Sequence, residues 1–201
     1  MSFADYQNLK ANVKSAYHNR SDIPDFVYEL TTAELNAKLR LKVMESETTL
    51  TASSETTALP SDFLEVRHMY LDQDVREPID VVDEFAKSRF YDISGQPREY
   101  TIINGSVLWN PAPDGSYSVN LRYYAKLSDF SADTDTNAVL TTFPALYFYG
   151  ALKQIALWEG DDEAAGRYEA AFEKELRSIM KREQTARYGS GPLTSVSHAV
   201  G

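Results

Sequence analysis

Three groupings of side chains have types and spacings that chemistry could use. Asp133-x-Asp135-x-Asn137 reproduces the first three ligand positions of a calcium-binding loop, whose carboxylates must converge on one cation. The remainder fails, because the sixth position, where glycine makes the sharp turn, is Ala138, and the twelfth, where a bidentate glutamate closes the shell, is Pro144. The segment therefore reads as a solvated acidic turn ahead of a helix. Asp161-Asp162-Glu163 offers clustered carboxylates for acid–base work, yet acids at a helix start are explained by capping and the macrodipole. His18, His68 and His198 fall on a helix end, a strand and the last stretch of the chain, without ligand spacing. There is no Gly-x-Ser-x-Gly elbow, Walker loop or dinucleotide fingerprint. With no cysteine, thiolate metal sites, disulfides and cysteine nucleophiles are excluded. No catalytic residue, metal ligand or cofactor is assigned, and the chain is expected not to be an enzyme.

Composition sets the outer limits. The 201 residues are 43% hydrophobic and 25% charged, an ordinary globular balance. Thirty acidic against twenty basic residues leave a net charge of −10, which argues against tight binding to a phosphate backbone. No window approaches eighteen uninterrupted apolar residues, and the opening MSFADYQNLK lacks a basic stretch followed by an apolar run. Neither export nor a membrane is expected, so the sequons at Asn19 and Asn104 carry little meaning.

Periodicity predicts the elements that hold these side chains. Ser2 with Asp5, then Tyr6, Leu9, Val13, Ala16 and Tyr17 at spacings of three and four, predict a capped helix ending near Asn19. Asp22 and Pro24 restart a helix with apolar positions Phe26, Val27, Leu30, Ala33, Ala37 and Leu41, and Thr31-x-x-Glu34 predicts a kink or break inside it. The Ser/Thr-rich run 46–57 reads as a polar hairpin, 66–71 as a strand and 82–90 as a short helix. Asn104-Gly105 between Tyr100–Ile103 and Val107–Trp109 is a strong hairpin signal, and Tyr117, Val119, Leu121, Tyr123 and Ala125 alternate as a strand. Pro144 opens a helix that is apolar around most of its circumference to Trp158, and Gly160 stops it. Ala164, Tyr168, Phe172, Leu176, Ile179 and Met180 form the stripe of a last helix, with Glu163→Arg167 and Glu173→Arg177 as i,i+4 pairs. The fold class is α+β: a helical bundle from both ends of the chain (1–45 and 131–187), a β-rich insertion (46–130) and a flexible tail (188–201).

Aromatic residues, thirteen Tyr, nine Phe and two Trp, concentrate in the last predicted strand and the apolar helix. Tyr and Trp suit surfaces that are apolar and also need hydrogen bonds, so Trp109, Tyr117, Tyr123 and Tyr124 are candidates for subunit or tail contacts.

The segments Phe26 to Met44-Glu45, Leu59-Pro-Ser-Asp-Phe-Leu-Glu-Val-Arg67, Tyr100-Thr-Ile-Ile-Asn-Gly105, Trp109-Asn-Pro-Ala-Pro-Asp114, Leu121-Arg-Tyr-Tyr-Ala-Lys-Leu127 and Leu146-Tyr-Phe-Tyr-Gly-Ala-Leu152 occur in one order with sensible spacing. Together they resemble the head-to-tail connector adaptor proteins of tailed bacteriophages over about residues 22–183. That resemblance implies a non-catalytic ring, usually dodecameric, that docks on the portal protein after packaging. The ring would offer a platform to a downstream tail or nozzle protein and form part of the DNA channel in the virion neck. Such a protein is made in the host cytoplasm. Twelve copies would carry about −120 charges, which would discourage the passing DNA from adhering. On this reading the lone chain is a soluble monomer or small oligomer. Its tail, through Arg187, Tyr188, Leu193 and Val196, orders on the portal. A tail-completion or baseplate component is the neighbouring alternative; a hydrolase or lyase using acidic residues would need convergent carboxylates in a pocket.

Overall fold

The computed structural model describes residues 3–20, 22–73, 76–83 and 93–188. It is an α+β fold in two compact units, one drawn from the two ends of the chain, up to Val43 and from Leu127, and the other from Met44–Lys126.

In the first unit, α1 (Tyr6–Ala16) is capped by Asp5, whose carboxylate accepts from the Asn8 amide at 2.8 Å. Tyr6, Leu9 and Val13 form its buried face. The cap expected of Ser2 lies outside the described residues. Helix α2 (Phe26–Lys38) runs through Thr31 without the expected break. Both Thr31 and Thr32 are wholly buried and donate their hydroxyls to the carbonyls of Val27 and Tyr28 at 2.7 and 3.0 Å. Satisfied inside the helix, they have no reason to start another one. The buried face is Val27, Tyr28, Thr31, Thr32 and Leu35, whereas Phe26, Leu30, Ala33 and Ala37 of the expected stripe lie exposed.

A short helix that periodicity did not show, α3 (Ala138–Thr142), precedes α4 (Pro144–Glu159). Proline opens α4, and Gly160, at φ +75°, closes it in the left-handed conformation that glycine takes without strain. Helix α5 (Asp162–Tyr188) buries Ala164, Phe172, Leu176 and Ile179, but Met180 of its expected stripe is 50% exposed. Where α4 meets α2 there is no room for a side chain. A Cβ at Gly150 would come within 2.5 Å of Cγ2 of Thr31, a buried β-branched side chain with little freedom to yield.

The second unit holds β1 (Glu45–Ala52), β2 (Thr56–Ala58), β3 (Phe63–Leu71), β4 (Glu77–Pro78), β5 (Asp80–Val81), β6 (Glu99–Ile103), β7 (Ser106–Asn110) and β8 (Tyr117–Ala125). They make two four-stranded sheets, ordered β1-β8-β3-β4 and β2-β7-β6-β5. The hairpin expected over 46–57 does not form. β1 pairs antiparallel with β8 and β2 with β7, so the chain changes sheet between Ala52 and Thr56. Leu50 and Ala52 face inward on β1, and that burial, which the Ser/Thr content hides, fixes its place. The Asn104-Gly105 hairpin forms between β6 and β7 with φ of +50° and +73°. Both sheets contribute to one core of Leu50, Met69, Leu71, Tyr100, Val107, Trp109, Val119 and Leu121. The helix expected over 82–90 falls, from residue 84, outside the described residues.

Gly150→Ala should lower stability by about 1–3 kcal/mol despite the better helix propensity of alanine, because the overpacking is against a rigid neighbour. Denaturant unfolding checks this, and adding Thr31→Ser, which removes the offending methyl, should recover part of the loss.

Candidate functional site

The acidic motif ahead of α3 is engaged in local structure. Asp133 pairs with Lys10 at 2.5 Å. Asp135 accepts from the amides of Ala132 and Ser131 at 2.8 and 2.7 Å and from the Ser131 hydroxyl at 2.9 Å, which hold its carboxyl below the usual range. Asn137 caps α3 by accepting from the Leu140 amide at 3.0 Å, and its Nδ2 donates to the buried Tyr147 hydroxyl at 2.7 Å. Burial is the main reason that hydroxyl is pushed up to about 12. No group of three or more His, Asp or Glu among the described residues is placed to hold a metal ion. Likewise, Asp161 accepts from the Ala164 amide at the start of α5, and Glu163 meets Arg167 at 3.3 Å. His18 and His68 are exposed, and His198 lies outside the described residues.

The cluster that sequence reasoning missed centres on Lys153, the one charged residue between Pro144 and Trp158. That lone charge in an apolar helix was the available signal. Lys153 is 6% exposed; its ammonium contacts Glu34 of α2 and lies 2.9 Å from Glu169 of α5. Lys38 closes the network at 2.8 Å from Glu34 and 2.7 Å from Glu173. Glu173 therefore meets Lys38 rather than the Arg177 expected at i+4. Burial would raise the Glu34 carboxyl, but hydrogen bonds from Lys153 and Lys38 outweigh it and hold the group below the usual glutamate range. Five charged groups from three helices thus form a paired network with no free carboxylate convergence of the kind hydrolysis requires.

Of the four aromatic contact candidates, three are buried, and two of these, Trp109 and Tyr123, belong to the core of the β unit. Trp109 is wholly buried and donates its indole N–H to Thr57 at 2.9 Å. Tyr123 is buried and donates to Asp62 at 3.0 Å; Tyr124, also buried, accepts from Arg67 at 3.1 Å. Half-buried Tyr117, bonded to Asp114, retains surface for a partner. The alternation of Val119, Leu121 and Tyr123 on β8 carried the core signal for Tyr123, and aromatic density alone does not separate core from contact. Of the tail candidates, Arg187 lies in the last turn of α5, its guanidinium donating to the Arg40 carbonyl at 3.1 Å. Tyr188 closes the helix, while Leu193 and Val196 lie outside the described residues.

The described chain thus holds two sheets on one core and a helical unit crossed by an ion-pair network around the buried Lys153. The sequence matches the family model of the SU10 adaptor protein over residues 4–196, and the chain belongs to that family. It is a bacteriophage adaptor and a component of the virion. A search of curated proteins gave no match. Among the described residues, no helix is long and apolar enough to cross a membrane.

Glu34→Gln strands the buried Lys153 ammonium on one remaining carboxylate and should cost about 3 kcal/mol, whereas Lys153→Met removes the buried charge and should cost less than half of that. Because the folded Glu34 carboxyl titrates low, its contribution is complete above the ordinary value of 4.5 and is lost as pH falls through the lower folded value. Urea titrations should therefore show wild type losing stability on acidification below about pH 4.5 more steeply than Glu34→Gln. In the β unit, Trp109→Ala should cost about 3–5 kcal/mol, while Tyr117→Ser should shift thermal unfolding little.

Proposed function

We propose that this adaptor assembles as a ring, of twelve copies by resemblance to phage connector proteins, that docks on the portal and presents a platform to a tail or nozzle protein. The observation that carries the reading is the family match across residues 4–196, which takes in both units. A net charge of −10 per copy supports a conduit that DNA traverses without specific binding. In this reading the lone chain is a monomer or small oligomer and the ring closes on capture by the portal. The network around Lys153 supports a structural role over an acid-catalysed one, since its carboxylates are neutralised by lysines.

The tail is the docking segment in this proposal, with Leu193 and Val196 as apolar anchors and Arg187 and Tyr188 at its root. Arg187 is clasped to the Arg40 carbonyl, so a cut that tests the tail belongs after Tyr188, leaving α5 whole. A tail that orders on binding gives up several kcal/mol, so affinity comes from repetition around the ring. The chain ending at Tyr188 should keep its circular dichroism and thermal unfolding yet lose co-sedimentation with the portal ring of the same phage. Docking equal to that of the full chain would place the attachment in the folded body instead.

A further inference from the structure

On a chain with a net charge of −10, basic side chains are gathered in one concave place. A groove of about 510 Å³ runs between the end of α2 and the C-terminal half of α5. Its wall includes Arg40, Leu41, Arg177, Met180, Lys181 and Arg187. Arg177 and Lys181 have no carboxylate partner among the described residues, and Met180 between them is 50% exposed. The helix macrodipole does not account for this, because its effect fades within the last turn while Arg177 and Lys181 stand eleven and seven residues before Tyr188. The opposite end of the same helix carries the complement. At the α4–α5 turn Leu157 and Trp158 are 52% and 45% exposed, next to the exposed acids Asp162 and Glu163. Glu163 also reaches Arg167 within its own helix at 3.3 Å, but these acids cannot reach the groove of their own copy, since Asp162 and Lys181 are about 28 Å apart along α5.

We propose that the groove receives the α4–α5 turn of a second copy. Leu157 and Trp158 lie against Met180, and Asp162 and Glu163 lie against Arg177 and Lys181. Two different patches meet, so the contact is head-to-tail and propagates to a third copy rather than closing as a pair. An apolar centre rimmed by opposite charges is the usual anatomy of a protein contact. Duplex DNA fits less well, because a phosphate backbone offers nothing to the exposed Met180. The proposal deepens the ring reading above and rests on it for closure, while the contact rests on these exposures and charges.

Sedimentation velocity on the full chain, from about 10 μM to about 1 mM, tests the contact. Wild type should self-associate with rising concentration. Arg177→Glu with Lys181→Glu should weaken association at least about tenfold, as should Asp162→Lys with Glu163→Lys. Mixing the two double variants should restore association as alternating copies, because the native pairing survives at one junction and its charge-reversed form joins the other. Combining all four reversals in one chain should restore association. Circular dichroism confirms folding, and Arg177→Gln with Lys181→Gln gives a milder version in which a fall in affinity is still expected. A wild type that stays monomeric across the range, or a groove variant that associates as wild type does, overturns the proposal. So does a groove that binds a labelled 20-base-pair duplex while its reversal leaves self-association unchanged. A complete ring assembled on the portal by the groove variant would also sink the contact and leave the ring reading standing. Docking of isolated single copies by that variant, with wild-type self-association intact, supports the contact.

Discussion

An ammonium group withdrawn from water in the middle of an apolar helix must be neutralised, and the helical unit is organised around that requirement. Lys153 sits on α4 where neighbouring positions are buried carbon, and its counter-charges come from α2 through Glu34 and from α5 through Glu169. Because each partner is on a different helix, the pairing fixes which faces meet as well as their register. Hydrophobic contact between α2 and α4 would tolerate sliding; a buried ion network with Gly150 pressed on Thr31 does not. Lys38, half in water, secures Glu34 from the outer side.

How much of this was legible in the sequence depended on whether the signal was local. The helix stop at Gly160, the Asn104-Gly105 hairpin and the alternation of Val119, Leu121 and Tyr123 are written in adjacent residues and stand in the structure as read. The pairing of β1 with β8 joins residues more than sixty positions apart, and nothing in a Ser/Thr-rich run announces it. Thr31 misled because a threonine beside a glutamate three residues on resembles a helix start, whereas its hydroxyl bonds backward when the site is dry. Met180 misled in the opposite sense: it lies on the apolar period of α5 but the neighbouring helices do not reach it.

The candidate site shows the same division. Asp133-x-Asp135-x-Asn137 lacks the later ligand positions of a calcium loop, and the structure gives Asp133 an ion pair with Lys10, Asp135 a turn and Asn137 a helix cap. Aromatic composition did not separate core from contact, since Trp109 and Tyr123 lie in the β core and Tyr124 is buried outside that cluster, each with a hydrogen-bond partner. Segment order proved the stronger guide to function, because a succession of separately weak pieces constrains a family more than any residue type does.

In the proposed ring, an acidic body with an ion-pair network around the buried Lys153 suits a part that holds its shape beside DNA without retaining it. The account's central claim is that such copies close into a ring on the portal. Native mass spectrometry of the protein with the portal of its own phage measures this directly. The account predicts an added mass of twelve 22.6 kDa chains per portal ring. A spectrum in which the portal gains no adaptor mass, at concentrations where both proteins are folded, would contradict it.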